Sequence, residues 1–222
     1  MSETLFSAIR AGDADTVAAL LSSDSSLLNA RDEKGIGTYV TARYHGRNDI
    51  AQLLLEKGAE LDVFAASMAG DRERVLKLID QNPDLIGSFS NDGWTALHLA
   101  CFFGQPAVAQ ALIGRGADVS ARSRNPMKNT PLHAAVAGRN VEAVRSLLEH
   151  GADVNVRQEG GWTPLHSASQ NGDAEMVQVL IAAGANVGVR ADNQQNPLDL
   201  ALGKGHQAVV DLLDAYASPR EQ

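Results

Sequence analysis

Apolar positions along the chain fall into short stripes that recur at a nearly fixed interval. Leu97/Ala100/Cys101, Leu132/Ala135/Val136, Leu165/Ala168/Ser169 and Leu198/Ala201/Leu202 each follow an i, i+3, i+4 pattern, the signature of one helical face. A second apolar run trails each stripe: Val108/Leu112, Val144/Leu148, Val177/Ile181 and Val209/Leu213. The pattern predicts pairs of short helices. Thr130-Pro131 and Thr163-Pro164 supply start signals, a capping hydroxyl followed by proline at the first helical position. Gly12, Gly46, Gly70, Gly104, Gly172 and Gly205 are placed to stop the first helix of their pairs in a left-handed cap.

The segments "GWTALHLACFFGQ", "KNTPLHAAVAGRN" and "GGWTPLHSASQNGD" align on His98, His133 and His166, which stand 35 and 33 residues apart. "QQNPLDLALGKGH" follows with Asp199 in the histidine slot, another 33 residues on. Each of the first three units ends in a similar phrase: "GADVS", "GADVN" and "GANVG". The N-terminal half is more degenerate but keeps the stripe in "TLFSAIRAG", "TYVTARYHG" and "VFAASMAG". Gly46 to Gly70 spans only 24 residues, against 34 for Gly12 to Gly46 and for Gly70 to Gly104. That shortening predicts a unit that has lost its connecting loop. Seven units result, the first and last acting as caps of a single domain over 1–216, with "ASPREQ" (217–222) as a frayed tail.

"TPLHAA" followed by "GADVN" closely resembles the ankyrin repeat, and the resemblance covers nearly the whole chain. It implies an all-α solenoid with short β-hairpin fingers, each unit burying its faces against its neighbours. It also implies a non-catalytic protein-binding module that docks a partner on its concave face to inhibit, scaffold or recruit it. The family's usual contact positions are the two residues before the helix-ending glycine and the one before Thr-Pro. In this sequence those slots include Tyr44, His45, Met68, Phe102 and Phe103, with Trp94 and Trp162 at the finger. Both tryptophans thus fall on slots that the family exposes, in a chain with only 5% aromatics. Exposed aromatic residues grouped this way mark interaction sites. The competing expectation for Phe102 and Phe103 is burial against Met68 or Trp94. Arg31, Arg122, Arg157 and Arg190 share one register before the finger tips, and Arg122, Arg157 and Arg190 are candidates for a cationic docking stripe. The alternative is pairing with Asp32, Asp118, Asp153 or Asp192 of neighbouring fingers.

Charge and chemistry narrow the field. A net charge of −8 with no Lys/Arg run argues against nucleic acid as a partner. One cysteine excludes an intramolecular disulfide framework and a multi-thiolate zinc site. "MSETLFSAIRAGDAD" lacks the basic start and apolar run of a signal peptide, and no stretch is apolar enough to span a membrane. The expectation is a monomeric cytoplasmic protein without cofactor or metal. Cys101 with His98 is not expected to be catalytic, since Val136, Ser169 and Leu202 fill the same slot as the cysteine. The histidine ladder is expected to satisfy backbone groups between fingers. "GKGHQA" imitates part of a dinucleotide fingerprint with no strand before it. Arg43 stands where alanine is usual, so a second reading is a small anionic ligand held by Arg43, Tyr44 and Arg47, making the protein a sensor or minor enzyme. A third is self-association through the apolar face.

Overall fold

The computed structural model describes residues 1–217. Ala217 still belongs to the last helix, and 218–222, the rest of the expected tail, lie outside the described residues. Among the described residues fourteen α-helices form seven antiparallel pairs: α1 (Ser2–Ala11) with α2 (Ala14–Ser23), α3 (Thr38–Tyr44) with α4 (Asn48–Glu56), α5 (Val63–Ala69) with α6 (Arg72–Gln81), α7 (Ala96–Phe102) with α8 (Pro106–Gly114), α9 (Pro131–Ala137) with α10 (Val141–Glu149), α11 (Pro164–Asn171) with α12 (Ala174–Ala182), and α13 (Pro197–Lys204) with α14 (Gln207–Ala217). Odd-numbered helices stack in an inner row and even-numbered ones in an outer row, the arrangement of a helical solenoid. Packing is thinnest between the second and third units, for α3 against α5 and for α4 against α6 alike.

Local sequence explains each element. Thr95 caps α7 through the His98 amide, and Thr130, Thr163 and Asn196 open capping boxes at α9, α11 and α13. Asp13, Asp71, Asn140 and Asp173 cap α2, α6, α10 and α12 by accepting from backbone amides. All six glycines expected to stop inner helices have positive φ. In the fifth unit Arg139 takes that post with φ 54°, and the glycine beside it serves another purpose. A Cβ on Gly138 would lie 2.2 Å from the Phe102 carbonyl oxygen, so α9 needs glycine there to approach α7. Leu97, Ala100, Leu132, Ala135 and Ala168 of the stripes are sealed between layers, where small side chains let the rows close up. In the last stripe Ala201 is buried but Leu202 is exposed, because no further unit packs on it among the described residues.

Fingers are hairpin-like turns. Each is spanned at its base by a backbone bond, from the amide of Asp32 to Ile36 (2.9 Å), Ser90 to Trp94 (2.8 Å), Ser123 to Asn129 (2.8 Å), Gln158 to Trp162 (2.8 Å) and Ala191 to Gln195 (2.9 Å). From the fourth unit on, backbone bonds also join successive tips, from Arg124 to Gly93, Glu159 to Met127 and Asp192 to Gly160. The third unit has no finger. Its chain passes from α4 through Leu61 to Asp62, which caps α5 directly by accepting from the Ala65 amide at 2.9 Å.

Candidate functional site

Three sets of side chains line the finger side of the stack, and the histidines form the innermost. Nε2 of His98, His133 and His166 donates to the carbonyl of Asn129 (3.1 Å), Trp162 (3.2 Å) and Gln195 (3.2 Å) in the next finger. A carbonyl can only accept, so Nε2 carries the proton and Nδ1 accepts from the threonine hydroxyl of its own cap, at 2.7, 3.0 and 2.9 Å. Both ring nitrogens are thereby used. Burial lowers the pKa of His98 and His133 to about 4, and that of His166 in the same direction, because desolvation disfavours the cation. The ladder is a neutral splice between layers. Cys101 is fully buried beside it, with its thiol pKa pushed well above the ordinary range, which leaves it inert as a nucleophile.

The arginines form a second set and require a correction to the free cationic stripe. Arg122 Nη1 donates to the carbonyls of Lys128 (3.1 Å) and Arg157 (2.9 Å). Arg157 Nη2 reaches the Arg190 carbonyl at 2.9 Å and Asp192 at 3.5 Å. Arg190 Nη1 donates to the Gln194 carbonyl at 2.5 Å and lies 3.8 Å from Asp199. Their planar forks reach finger carbonyls that would otherwise face water, so the side chains stitch fingers together while staying exposed. Of the four expected acidic partners only Asp192 is used, by Arg157. Asp118 and Asp153 instead cap their own turns, and Asp32 pairs with Arg10 at 3.7 Å.

The third set is aromatic. Tyr44 lies against Phe103 (ring centroids 5.8 Å apart), Phe103 against Phe102 (5.1 Å) and Phe102 against Trp94 (6.1 Å). Tyr44 is 38% and Phe102 39% exposed, whereas Phe103 and Trp94 are half-buried against the core. Neither expectation for the two phenylalanines holds alone: Phe102 looks outward and Phe103 packs inward. Met68 does not belong to the surface. It is 0% exposed and part of the hydrophobic core. His45 is exposed next to Tyr44. Trp162 stands apart, half-buried on His166 at 5.6 Å.

The family model for ankyrin repeats (3 copies) matches residues 63–158 and 156–222, well over half of the chain. The chain belongs to the ankyrin-repeat family. Repeats of this family are generally protein–protein interaction modules and typically non-catalytic. Among curated relatives, Target of rapamycin complex 2 subunit AVO2 of Saccharomyces cerevisiae is 30% identical over 176 residues, 72% of this chain and 41% of the relative. Ankyrin repeat and SAM domain-containing protein 6 of Rattus norvegicus is 32% identical over 102 residues, 46% of this chain and 11% of the relative. Putative ankyrin repeat protein FPV014 of Fowlpox virus is 28% identical over 165 residues, 70% of this chain and 37% of the relative. The chain thus spans less than half the length of each.

The match begins at Val63, the first residue of α5, so the thin packing between α3 and α5 coincides with the limit of the recognisable ankyrin pattern. Across this seam the ankyrin stack uses side chains. The Arg43 guanidinium sits 4.9 Å from the Phe103 ring centroid, and its Nη1 donates to the Tyr39 hydroxyl at 3.1 Å. Tyr44 donates its hydroxyl to Asp92, and Asn91 Nδ2 donates to the Lys34 carbonyl at 3.0 Å. Arg47 is turned the other way, holding the Arg10 carbonyl through Nε (3.1 Å) and Nη2 (2.9 Å). Arg43, Tyr44 and Arg47 therefore do not converge on a common point, and nothing in their geometry supports the small anionic ligand. The seam residues were the least legible in the sequence; the one signal was Arg43 in a slot that usually holds alanine. No helix of the described residues is long and apolar enough to cross a membrane.

Proposed function

We propose that this ankyrin stack docks a partner protein through the aromatic path from Tyr44 to Trp94. The observation that carries the reading is the continuity of four aromatic side chains over two units, with Tyr44 and Phe102 presenting open ring surface. Large aromatic groups held rigidly lose little conformational freedom on docking, which is what binding hot spots need. His45 adjoins the path, and Trp162 offers a second, separate contact farther along the stack. Arg122, Arg157 and Arg190 give the rim its polar character, since each stays exposed after serving its finger. On this reading the chain acts as a monomeric, non-catalytic binding module in the cytoplasm.

The test is a single substitution. Phe102→Glu places a charge on the exposed ring position, whereas Phe103→Glu would put a carboxylate against the core and destabilise the stack. Crosslinked co-purification from native lysate should recover a partner with the wild-type chain and lose it with Phe102→Glu, while the two proteins melt within about 2 °C of each other, as expected for a surface change. Equal recovery by both chains would refute the assignment.

A further inference from the structure

The missing finger leaves a cavity of about 90 Å³ between the second and fourth fingers. Its apolar floor is built from Ile36, Val40, Phe64, Met68 and Leu99. Asp92 also lines it, accepting from Ser90 Oγ at 2.5 Å and from the Tyr44 hydroxyl. We propose that this cavity is a socket for an unbranched primary ammonium, the side chain of a lysine on a partner polypeptide.

Charge decides the sign of the occupant. Arg31 and Asp62 also line the cavity, but they lie 3.4 Å from each other. Arg31 is further engaged by the Gly35 carbonyl (2.8 Å) and Asp62 by its cap at Ala65 (2.9 Å). Arg124, on the far side of the fourth finger, is stacked 4.1 Å over Phe89, and Arg43 lies over Phe103. Asp92 is in no ion pair among the described residues, so the cavity faces one uncompensated carboxylate. Its two oxygens each accept one hydroxyl, and a carboxylate has about four acceptor positions, so capacity for an N–H remains. A carboxylate guest would be repelled, and a purely apolar guest would strip water from Asp92 without replacing it.

Shape decides between the two cationic side chains. A lysine stem is slender and apolar, and its ammonium is a compact charge that can rest against Asp92 while the methylenes lie on the floor. The planar guanidinium fork of arginine is bulkier and fits a volume of about 90 Å³ less well. This socket lies where a finger is absent. From the fourth unit on the tips are joined by backbone bonds, whereas here the side chain of Asn91, one of the lining residues, spans to Lys34. This inference does not rest on the aromatic path being the docking surface.

The test is a backbone-amide NMR titration of the full chain with n-butylammonium chloride, against n-butanol and sodium butyrate at matched ionic strength. n-Butylammonium should shift the amides of Val40, Phe64 and Asp92 in a saturable way, n-butanol should bind at least about fivefold more weakly, and butyrate should leave these amides unmoved. Asp92→Asn should weaken n-butylammonium to the level of n-butanol with the remaining spectrum preserved. Tyr44→Phe, which keeps the carboxylate and releases one of its lone pairs, should bind no more weakly than wild type. An acetylated and amidated Gly-Lys-Gly peptide should bind more tightly than the free amine, and the same peptide with norleucine should not. Equal affinity for n-butylammonium and n-butanol, or an unchanged affinity in Asp92→Asn, overturns the socket. Equal binding of peptide and free amine overturns the polypeptide source. Small probes make these results independent of partner capture through Phe102.

Discussion

Acidification should loosen this stack well before its carboxylates titrate, because the histidine ladder works only when neutral. His98 and His133 have folded-state pKa values of about 4, against 6.5 for the unperturbed side chain. Below pH 6.5 the unfolded chain takes up a proton at each ring while the folded chain does not, so the unfolded state binds more protons and stability drops as the pH is lowered. The contribution is therefore fully present above 6.5 and is lost as pH descends towards 4. At pH 5 each histidine costs about 2 kcal/mol relative to pH 7.5, or about 4 kcal/mol for the pair. His166 adds to the loss in the same direction. With a urea dependence of about 2.5 kcal/mol/M, the unfolding midpoint should drop by roughly 1.5 M between pH 7.5 and pH 5. Equilibrium urea titrations followed by circular dichroism at several pH values measure this directly. His133→Gln supplies the control: it removes one titrating splice, so it should be less stable at pH 7.5 and should lose less on acidification. A midpoint that stays level from pH 7.5 to 5, or an unchanged pH slope in His133→Gln, would refute the reasoning.

Two further substitutions probe the packing. Gly138→Ala should destabilise by about 2–3 kcal/mol, because the added methyl meets the rigid backbone carbonyl of Phe102 and must push α9 off α7; a thermal melt indistinguishable from wild type would contradict that contact. Ser169→Ala should stabilise by about 1 kcal/mol, since the Ser169 hydroxyl is buried without a hydrogen-bond partner, and a lower melting temperature would show that the hydroxyl is satisfied.

The ankyrin fold was legible because repetition tests each assignment several times. A stripe, a cap and a stop that recur at nearly equal intervals in "GWTALHLACFFGQ" and its copies confirm one another, and even the lost finger showed as a short interval. The ladder could be anticipated for the same reason. Less could be read for the arginines. Register placed Arg122, Arg157 and Arg190 in line, but a one-letter code does not say that a fork will spend its donors on carbonyls. Slot assignment failed at Met68 because a position in the repeat does not say which neighbours cover a side chain. Where a finger is absent, Met68 lines an apolar cavity with Val40, Phe64 and Leu99 instead of facing open solvent. Asp13, Asp71, Asn140 and Asp173 look like ordinary surface residues until the helices they cap are drawn.

The degenerate N-terminal half is better understood as substitution than as decay. Removing a finger removes a closing turn, a tip-to-tip backbone bond and a histidine splice, all of which hold the later units together. In a stack whose stability is a sum of neighbour terms, such a loss weakens one interface and leaves the rest intact. At this interface the missing terms are replaced by side chains that reach past the third unit: Arg43 and Tyr44 to Phe103 and Asp92, and Asn91 to Lys34. Two of the three replacements use a long or aromatic side chain, Arg43 and Tyr44, and the third uses the short amide of Asn91. Tyr44 and Phe103 thereby lie together, and Phe102 and Trp94 are continuous with them. The aromatic path is thus first a tie across the seam, and a partner lying along it would touch both blocks that the tie connects. Docking would then favour the clasped arrangement over any opened one, because only the clasped form presents the whole path.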